Sequence, residues 1–227
     1  VDWMADYLNN VSRMDVSPNI DPGHVKHRLP QEAPHKKEDW DSIFDDFKKI
    51  VVPGMTHWNH PGWFAYFPAN NSPASILAEM ATATIGAQCM SWATSPAATE
   101  LEQLVMEWLR KLLGFPEGFK GVIQDSASTS SLVALLTARE KATDFEYGEF
   151  GAQAKGADKL CVYSSTQAHS SVEKAVKLSG IGLSRYRRIP VKEDFSIDVP
   201  ALKAAIEKDK GAGLKPCALV AAVGTTS

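Results

Sequence analysis

Length, composition and charge narrow the classes to which this chain can belong. It has 227 residues, of which 44% are hydrophobic and 22% charged, so it can bury a core and is not a disordered tail. The formal net charge of -3 gives no electrostatic reason to expect nucleic acid or an anionic membrane as a partner. Its three cysteines are widely spaced, and their odd number favours reduced thiols and a cytoplasmic location over a disulfide framework. No uncharged apolar run reaches the length of a membrane span, about 18 residues.

The first 71 residues are predicted to form a helical strap. Apolar residues recur there at helical spacing, at Val1, Met4, Ala5, Leu8 and Val11. A loop rich in proline and histidine follows, and a second amphipathic helix runs from about residue 40 to residue 52, where Pro53-Gly54 stops it. Two helices and an irregular loop make a poor core of their own. We therefore expect residues 1–71 to be a dimerisation segment that packs on another subunit.

Residues 72–227 follow a different pattern, and we assign them to a second domain. Ser72-Pro73 and Ser95-Pro96 each place a capping residue before a proline, as at the start of a helix. After Ser95, apolar residues keep a strict helical spacing until Gly114 ends the pattern. The members of this stripe are Leu101, Leu104, Val105, Trp108, Leu109 and Leu112.

Short apolar strands then alternate with helices. The predicted strands are GVIQ, KLCVYSS and CALVAAVGTTS. The predicted helices are LVALLTAREKA, VEKAVKLSG and VPALKAAIEKDKGAG. This alternation is typical of βαβ units, so we predict an α/β domain with a mostly parallel sheet.

Three loops at the carboxyl ends of these strands are the candidate ligand sites, because open parallel sheets bind ligands there. They span residues 125–131, 166–171 and 224–227, and serine and threonine are frequent in all of them. The first loop contains SASTSS and opens a helix, whose free N–H groups suit a phosphate. The alternative is that its serines only cap the helix. The second loop carries His169, which is either an ordinary hydrogen-bonded residue or part of a site.

Other classes of site lack their signatures in this sequence. The Walker pattern and the GxSxG motif are absent, which disfavours a nucleoside triphosphatase and a serine hydrolase. His169 has no second ligand at metal spacing. The pair His57 and His60 lies in THWNHPGW, where the following proline and glycine argue against a helical metal motif. We therefore predict no metal site.

Five motifs, in order along the chain, resemble one known family. They are PGMTHWNHPGWFAYFPANNSPASIL, SWATSPAATELEQLVMEWL, GVIQDSASTSSLVALLTAR, QAHSSVEKA and VGTTS. Together they closely resemble the pyridoxal-phosphate-dependent aromatic amino acid decarboxylases of the group II decarboxylase family. The resemblance implies a type I pyridoxal-phosphate fold, which is the aspartate aminotransferase-like fold, with pyridoxal 5'-phosphate as the cofactor. Residues 72–227 would be the first part of its large domain.

The resemblance also implies roles for individual residues. His169 would be catalytic, stacking on the pyridine ring of the cofactor beside the substrate. The cofactor phosphate would lie against Ser126, Ala127 and Ser128, and Thr226 would contact the cofactor or its phosphate region. The residues that match the family's wall around the substrate side chain are Trp58, Tyr66, Phe67, Pro68, Ala69 and Met90. The residues near Met90 match a stretch of the family that reaches into the site of the partner subunit, so Met90 would do the same.

Three positions depart from the family pattern. Asp125 stands where the family has glycine, which places a carboxylate beside the phosphate loop and requires it to point away or be neutralised. Ala69 replaces a threonine near the substrate, and Met90 replaces a phenylalanine in the wall. These departures leave the identity of the substrate open.

The activity implied is the decarboxylation of an L-amino acid, with aromatic preference, to an amine and carbon dioxide. The alternatives are a decarboxylase of the glutamate or diaminobutyrate type, an oxidative relative that forms an aldehyde, and a non-catalytic fragment that only pairs with a partner chain. The family's Schiff-base lysine and the aspartate that pairs with the pyridine nitrogen lie beyond GTTS. We therefore expect a second polypeptide that carries the C-terminal half, and a homodimer with exchanged N-terminal segments.

Overall fold

The computed structural model describes residues 1–67, 69 and 71–225. The chain folds as two compact units, Val1–Gly86 and Ala87–Ser227. The domain boundary predicted from the sequence, between residues 71 and 72, is a different division and stays a prediction.

The first unit begins with helices joined by irregular chain. Helix α1 is Asp2–Asn10 and continues as a 3-10 turn, Val11–Arg13; α2 is His24–Arg28; α3 is Trp40–Asp46. A π-helical turn, Phe47–Val51, and a 3-10 turn, Val52–Gly54, extend α3 to the predicted stop. Asp39 caps α3 by accepting a hydrogen bond from the Ser42 N–H at 2.9 Å. Both predicted helices are confirmed, whereas α2 was not predicted.

Helix α4 (Pro73–Ile85) completes the first unit and has the predicted cap. The Ser72 hydroxyl accepts from the Ser75 N–H, and the Ser75 hydroxyl accepts from the Ser72 N–H, both at 3.1 Å. This reciprocal pair satisfies two N–H groups that the helix start leaves without a partner. Gly86 ends the helix in the left-handed region, at φ +63°.

The second unit is an α/β arrangement. Its helices are α5 (Pro96–Leu112), α6 (Ala127–Ala142), α7 (Tyr147–Phe150), α8 (Ser170–Leu178) and α9 (Val199–Gly211). Its strands are β1 (Leu160–Ser165), β2 (Tyr186–Ile189) and β3 (Lys215–Val220). They form a parallel sheet in the order β2-β1-β3, in which Tyr163 stands opposite Arg187 and Leu219. The predicted βαβ units and parallel sheet are confirmed.

Strand β1 is the centre of this unit because all six of its residues are buried. Leu160 and Val162 pack on one face with Leu135 of α6 and Val176 of α8. The alternate residues, among them Tyr163, pack on the other face against α9. The sheet is therefore covered by helices on both faces, as a parallel sheet requires.

Two predicted strands differ from the structure. Residues 121–124, GVIQ, have no regular secondary structure, and no strand pairs with them in the part of the chain that the structure describes. The Ile123 N–H instead donates to Glu102 Oε1 at 2.7 Å. The prediction of a strand there was wrong, since apolar residues form a strand only where a neighbour accepts their backbone hydrogen bonds. The last strand begins earlier than predicted, at Lys215, and ends at Val220.

Helix α5 forms as predicted, but its apolar stripe stays exposed. Leu101 and Leu112 are 62% and 83% exposed, and Trp108 is more than half exposed. The helix ends at Leu112, and Gly114 follows at φ +69°. Across residues 1–67, 69 and 71–225, the helices are too short or too polar for any of them to cross a membrane.

Candidate functional site

His169 stands where β1 passes into α8. After β1 ends, the Thr166 N–H donates to the Ile189 carbonyl at 2.8 Å, and the Ala168 N–H donates to the Ser165 carbonyl at 3.2 Å. His169 has a non-helical backbone, φ -57° and ψ 146°, and α8 starts at the next residue. The strand end and the turn after it thus place His169 as the capping residue of α8.

The imidazole of His169 is held by the first turn of that helix. Its Nδ1 accepts from the Ser171 N–H at 3.2 Å and lies 2.8 Å from the Ser171 hydroxyl. Because a backbone N–H can only donate, Nδ1 carries no proton, and the proton of the neutral ring is on Nε2. The side chain is otherwise exposed, so its ring is oriented but not covered.

The start of α6 forms the second part of the candidate site. Ser126 is the capping residue, and its hydroxyl accepts from the Thr129 N–H at 3.2 Å. The N–H groups of Ala127 and Ser128 belong to the first turn and have no acceptor within the helix. Within the described ranges the Ser128 hydroxyl has no hydrogen-bond partner either. These donors, at the positive end of the helix dipole, suit a phosphate group.

The neighbouring hydroxyls are already engaged. Ser130 donates to the Ser126 carbonyl at 3.1 Å, and Ser131 donates to the Ala127 carbonyl at 3.0 Å. The helix therefore begins earlier than predicted, inside SASTSS. Asp125 is exposed and forms no ion pair with any residue that the structure describes, so its carboxylate is hydrated rather than neutralised by a basic side chain.

The predicted substrate wall is partly assembled within the first unit. Trp58 and Tyr66 are stacked, with ring centroids 5.6 Å apart and an interplanar angle of 11°. The Ala69 N–H donates to the Trp58 carbonyl at 3.3 Å. Phe67 is exposed, and among the described residues no ring lies against it. A cavity of about 350 Å³ adjoins this wall and is lined by Trp58 and Ala69 together with residues of α1 and of the turn after α3.

Sequence reasoning missed three residues that support the wall. Trp63 lies 5.0 Å from Trp58 between ring centroids, and the dense aromatic run around it was the available signal. Tyr7 of α1 contacts His57 Nδ1 at 2.7 Å and donates to Asn59 Oδ1 at 3.1 Å. These two contacts span 50 and 52 residues, a separation at which no local sequence pattern reveals a contact.

The two histidines of THWNHPGW serve the local structure of the first unit. His57 is 7% exposed, and burial, with a smaller contribution from the nearby His60, lowers its pKa. His60 Nδ1 accepts from the Gly62 N–H at 2.8 Å and so closes a turn. Among the residues that the structure describes, no group of three or more potential ligands is placed to hold a metal ion.

Three predicted site residues remain. Met90 belongs to the second unit and is 79% exposed. Pro68 and Thr226 lie outside the described residues. The structure thus brings together Trp58, Tyr66 and Ala69 in one unit, and places Ser126–Ser128 and His169 at helix starts in the other.

Comparison with known proteins gives one consistent match. The profile of the pyridoxal-dependent decarboxylase conserved domain matches residues 22–227. Aromatic-L-amino-acid decarboxylase of Bos taurus is 44% identical over 237 residues, covering 100% of this chain and 48% of that protein. Phenylacetaldehyde synthase of Petunia hybrida is 41% identical over 235 residues, covering 100% of this chain and 45% of that protein.

A solved structure gives the same match in three dimensions. Catharanthus roseus tryptophan decarboxylase in complex with L-tryptophan is 39% identical and superposes with a TM-score of 0.90, covering 100% of this chain and 49% of that one. The chain therefore spans about half the length of the relatives it matches.

Proposed function

Because the chain belongs to the pyridoxal-dependent decarboxylase family, we propose that the whole protein decarboxylates an aromatic L-amino acid to its amine and carbon dioxide. The identity of 44% with an aromatic-L-amino-acid decarboxylase, over the full length of the chain, is the observation that carries this proposal. The family, the type I fold and the cofactor, which the five motifs implied, are confirmed by these matches.

The start of α6 fits the phosphate of pyridoxal 5'-phosphate. Ser126 fixes the helix start, and the N–H groups of Ala127 and Ser128 with the Ser128 hydroxyl are the donors that would bind it. The cofactor, when bound, supplies the electron sink that allows an amino acid to lose its carboxyl group. Asp125 is exposed beside these donors, so its charge opposes the phosphate only through solvent, which weakens the repulsion.

His169 would hold and orient the planar ring of the cofactor. Its imidazole is anchored through Nδ1 to the first turn of α8, so one ring orientation is favoured before any ligand binds. Held in this orientation, the planar imidazole can stack on the aromatic ring of the cofactor. Orientation of this kind aligns the scissile bond and contributes through geometry.

The substrate side chain would pack on the aromatic wall. The stack of Trp58 and Tyr66 offers a flat apolar surface, which suits an aromatic side chain better than an acidic one. Ala69 offers no hydroxyl beside it, so a substrate gains no side-chain hydrogen bond from this position. Phe67, Pro68 and Met90 are proposed for the same wall by their match to the family motifs, and Thr226 for the cofactor.

The relatives are about twice as long as this chain, and two catalytic groups of the family are expected in the half that the chain does not span. We assign to that half the Schiff-base lysine and the aspartate that pairs with the pyridine nitrogen. A reducing compartment such as the cytoplasm is likewise a proposal, supported by Cys89, Cys161 and Cys217 being free thiols.

A homodimer with exchanged N-terminal segments is also proposed. Its support is an open apolar groove of about 610 Å³ between α1 and α3. Trp40 at the edge of this groove is 71% exposed, and Met4 and Ile43 are also exposed. Several exposed apolar side chains are contiguous in this groove, and such a patch is typical of an interaction surface. The N-terminal segment of a second copy would cover it.

A second candidate function is the oxidative formation of an aldehyde from an aromatic amino acid. The identity of 41% with a phenylacetaldehyde synthase favours it. That reaction consumes dioxygen and water, and it releases an aldehyde, ammonia and hydrogen peroxide beside carbon dioxide. The products therefore distinguish it from simple decarboxylation.

The experiment is a substrate panel for the whole protein reconstituted with pyridoxal 5'-phosphate. L-Tryptophan, L-tyrosine, L-glutamate and L-2,4-diaminobutyrate are supplied, and amine, aldehyde and peroxide are measured. Amine from the aromatic amino acids alone supports the proposal. Aldehyde with stoichiometric peroxide supports the second candidate. Activity only on L-glutamate or L-2,4-diaminobutyrate contradicts both, and so does the absence of turnover with all four amino acids.

A further inference from the structure

The two residues next to Trp58 in the chain form hydrogen bonds with the same hydroxyl group, that of Tyr7. These residues, His57 and Asn59, both contact Oη of Tyr7, at 2.7 Å and 3.1 Å. His57 is also fixed through its backbone, since its N–H donates to the Val16 carbonyl at 2.9 Å. The backbone on either side of Trp58 is therefore tied to helix α1.

The protons of this contact have one consistent arrangement. Tyr7 has a single hydroxyl proton, which is donated to Asn59 Oδ1. The contact between Tyr7 Oη and His57 Nδ1 then takes its proton from the histidine, so Nδ1 carries the proton and Nε2 of the neutral ring does not. The hydrogen bonds run in one direction, from His57 through Tyr7 to Asn59.

Ring contacts within the first unit hold the side chain of Tyr7 in place. The Tyr7 ring stacks on Trp3, with centroids 5.5 Å apart. Trp3 in turn meets Phe44 and Phe47 edge-on, at 5.7 and 5.2 Å. An aromatic cluster of α1 and the segment around α3 therefore fixes the hydroxyl that holds the chain around Trp58.

The geometry points to Tyr7 as a positioning residue for substrate selection: through His57 and Asn59 it sets where the Trp58 indole stands. Trp58 is the inner member of the stack with Tyr66, and Trp63 backs it at 5.0 Å. A displaced indole would alter the flat surface offered to an aromatic side chain. This inference rests on the proposed function for its substrate, but the placement of Trp58 by Tyr7 can be measured without any activity.

The test uses Tyr7→Phe in the whole protein, with Tyr147→Phe as the matched control. Tyr7→Phe removes both hydrogen bonds and keeps the stack on Trp3. Tyr147 is also partly exposed and its ring packs against the Arg139 guanidinium at 3.5 Å, but its hydroxyl donates to no acceptor that the structure describes. The protein is labelled with 5-fluorotryptophan, and the ¹⁹F signal of Trp58 is assigned by its loss in Trp58→Phe.

We expect the Trp58 signal to shift in Tyr7→Phe and to stay in place in Tyr147→Phe. KM for an aromatic amino acid should rise by roughly 10-fold in Tyr7→Phe, with kcat changed by less than about 2-fold, because ground-state and transition-state binding are lost together. Asn59→Ala, which removes one of the two hydrogen bonds, should give a smaller change in the same direction and serves if Tyr7→Phe does not fold.

Each outcome decides the inference. An unshifted Trp58 signal in the Tyr7 and Asn59 variants overturns the positioning role. A shifted signal with unchanged KM and a lowered kcat overturns the role in selection. If the unaltered protein decarboxylates no amino acid, the proposed function fails, and the ¹⁹F signals still decide whether Tyr7 places Trp58.

Discussion

The sheet of the second unit and the aromatic segment of the first unit are held together by different means. All six residues of β1 are buried, and helices cover both faces of the sheet. In the described part of the first unit, Val11 and His57 are the nearly fully buried residues, and most of its large apolar side chains remain partly exposed. Ring stacks and hydrogen bonds of long sequence separation, such as the contact of Tyr7 with His57, give this unit its shape.

This difference follows the chemistry that each unit would serve. The burial of β1 fixes the strand end that precedes His169, so the elements proposed to bind the cofactor start from a buried strand. The wall residues instead stand on partly exposed turns whose geometry depends on a few specific contacts. Changes in the first unit should therefore alter selectivity, whereas changes in the core of the second unit should alter stability.

The largest effect is expected from breaking the buried polar cluster of the second unit. Asp209 of α9 accepts from the Tyr163 hydroxyl at 2.8 Å and pairs with Arg187 through both carboxylate oxygens. The hydrogen bonds from Arg187 lower the pKa of Asp209. Burial, with a smaller contribution from the hydrogen bond to Asp209, raises the pKa of Tyr163. Asp209→Ala leaves a guanidinium and a hydroxyl without their partner and should cost about 3–5 kcal/mol of unfolding free energy.

Urea denaturation of the whole protein, followed by hydrogen exchange at the amides of β1, measures this loss. Asp158→Ala is the control, because Asp158 is exposed at the turn before β1, and it should change stability by less than about 0.5 kcal/mol. Equal stability of the two variants would show that the cluster does not hold α9 to the sheet.

The same contrast explains which features of the structure could be predicted from the sequence. A short apolar run predicted β1, because a strand covered on both faces is apolar throughout, and helical patterns predicted α8 and α9. GVIQ is a similar apolar run but has no neighbouring strand in the described chain, so the apolar run alone misassigned it. The contact of Tyr7 with His57 joins residues 50 apart and leaves no periodic trace. Motifs predicted roles for Ser126–Ser128 and His169, and the same resemblance predicted roles for Trp58 and Tyr66. No role was predicted for Tyr7, Asn59 or Trp63.

A smaller effect is expected from the helix caps, which differ between the units. Ser72 forms the reciprocal cap of α4, whereas the Ser95 side chain forms no cap hydrogen bond at the start of α5. Ser72→Ala should therefore destabilise its helix by about 1 kcal/mol, and Ser95→Ala by clearly less. Both precede a proline, so the pair is well matched. Hydrogen exchange at the amides of α4 and α5 reports each loss, and a larger loss at α5 would contradict the cap assignment.

The smallest effect is a pH dependence that belongs to the first unit. Burial lowers the pKa of His57 from its ordinary value of 6.5, so the unfolded chain binds a proton more readily than the folded one. Stability should be complete above about pH 6.5, should fall as the pH drops from there to the lowered pKa, and should level off below it. The fall arises from the burial of the charged ring, since protonated His57 still donates to Tyr7.

Thermal unfolding of the whole protein between about pH 7.5 and about pH 5, a range that includes the ordinary pKa of histidine, tests this. His57→Gln should flatten the part of the pH profile that lies just below the ordinary value. His35→Gln, at an exposed position of the loop before α3, should leave the profile as it is. An unchanged profile in His57→Gln would assign the pH dependence to other groups.

The central claim, that this chain supplies the residue that orients the cofactor ring, is tested most directly by turnover of His169→Ala in the whole protein. The variant should keep its circular dichroism spectrum, because the side chain is exposed. Loss of ring stacking, about 1 kcal/mol, should weaken pyridoxal phosphate binding about 5-fold. Turnover of an aromatic amino acid should fall further, by roughly 100-fold, because orientation is lost as well. His35→Ala should retain full turnover. Unchanged turnover in His169→Ala, with the cofactor bound and the fold intact, would contradict the claim.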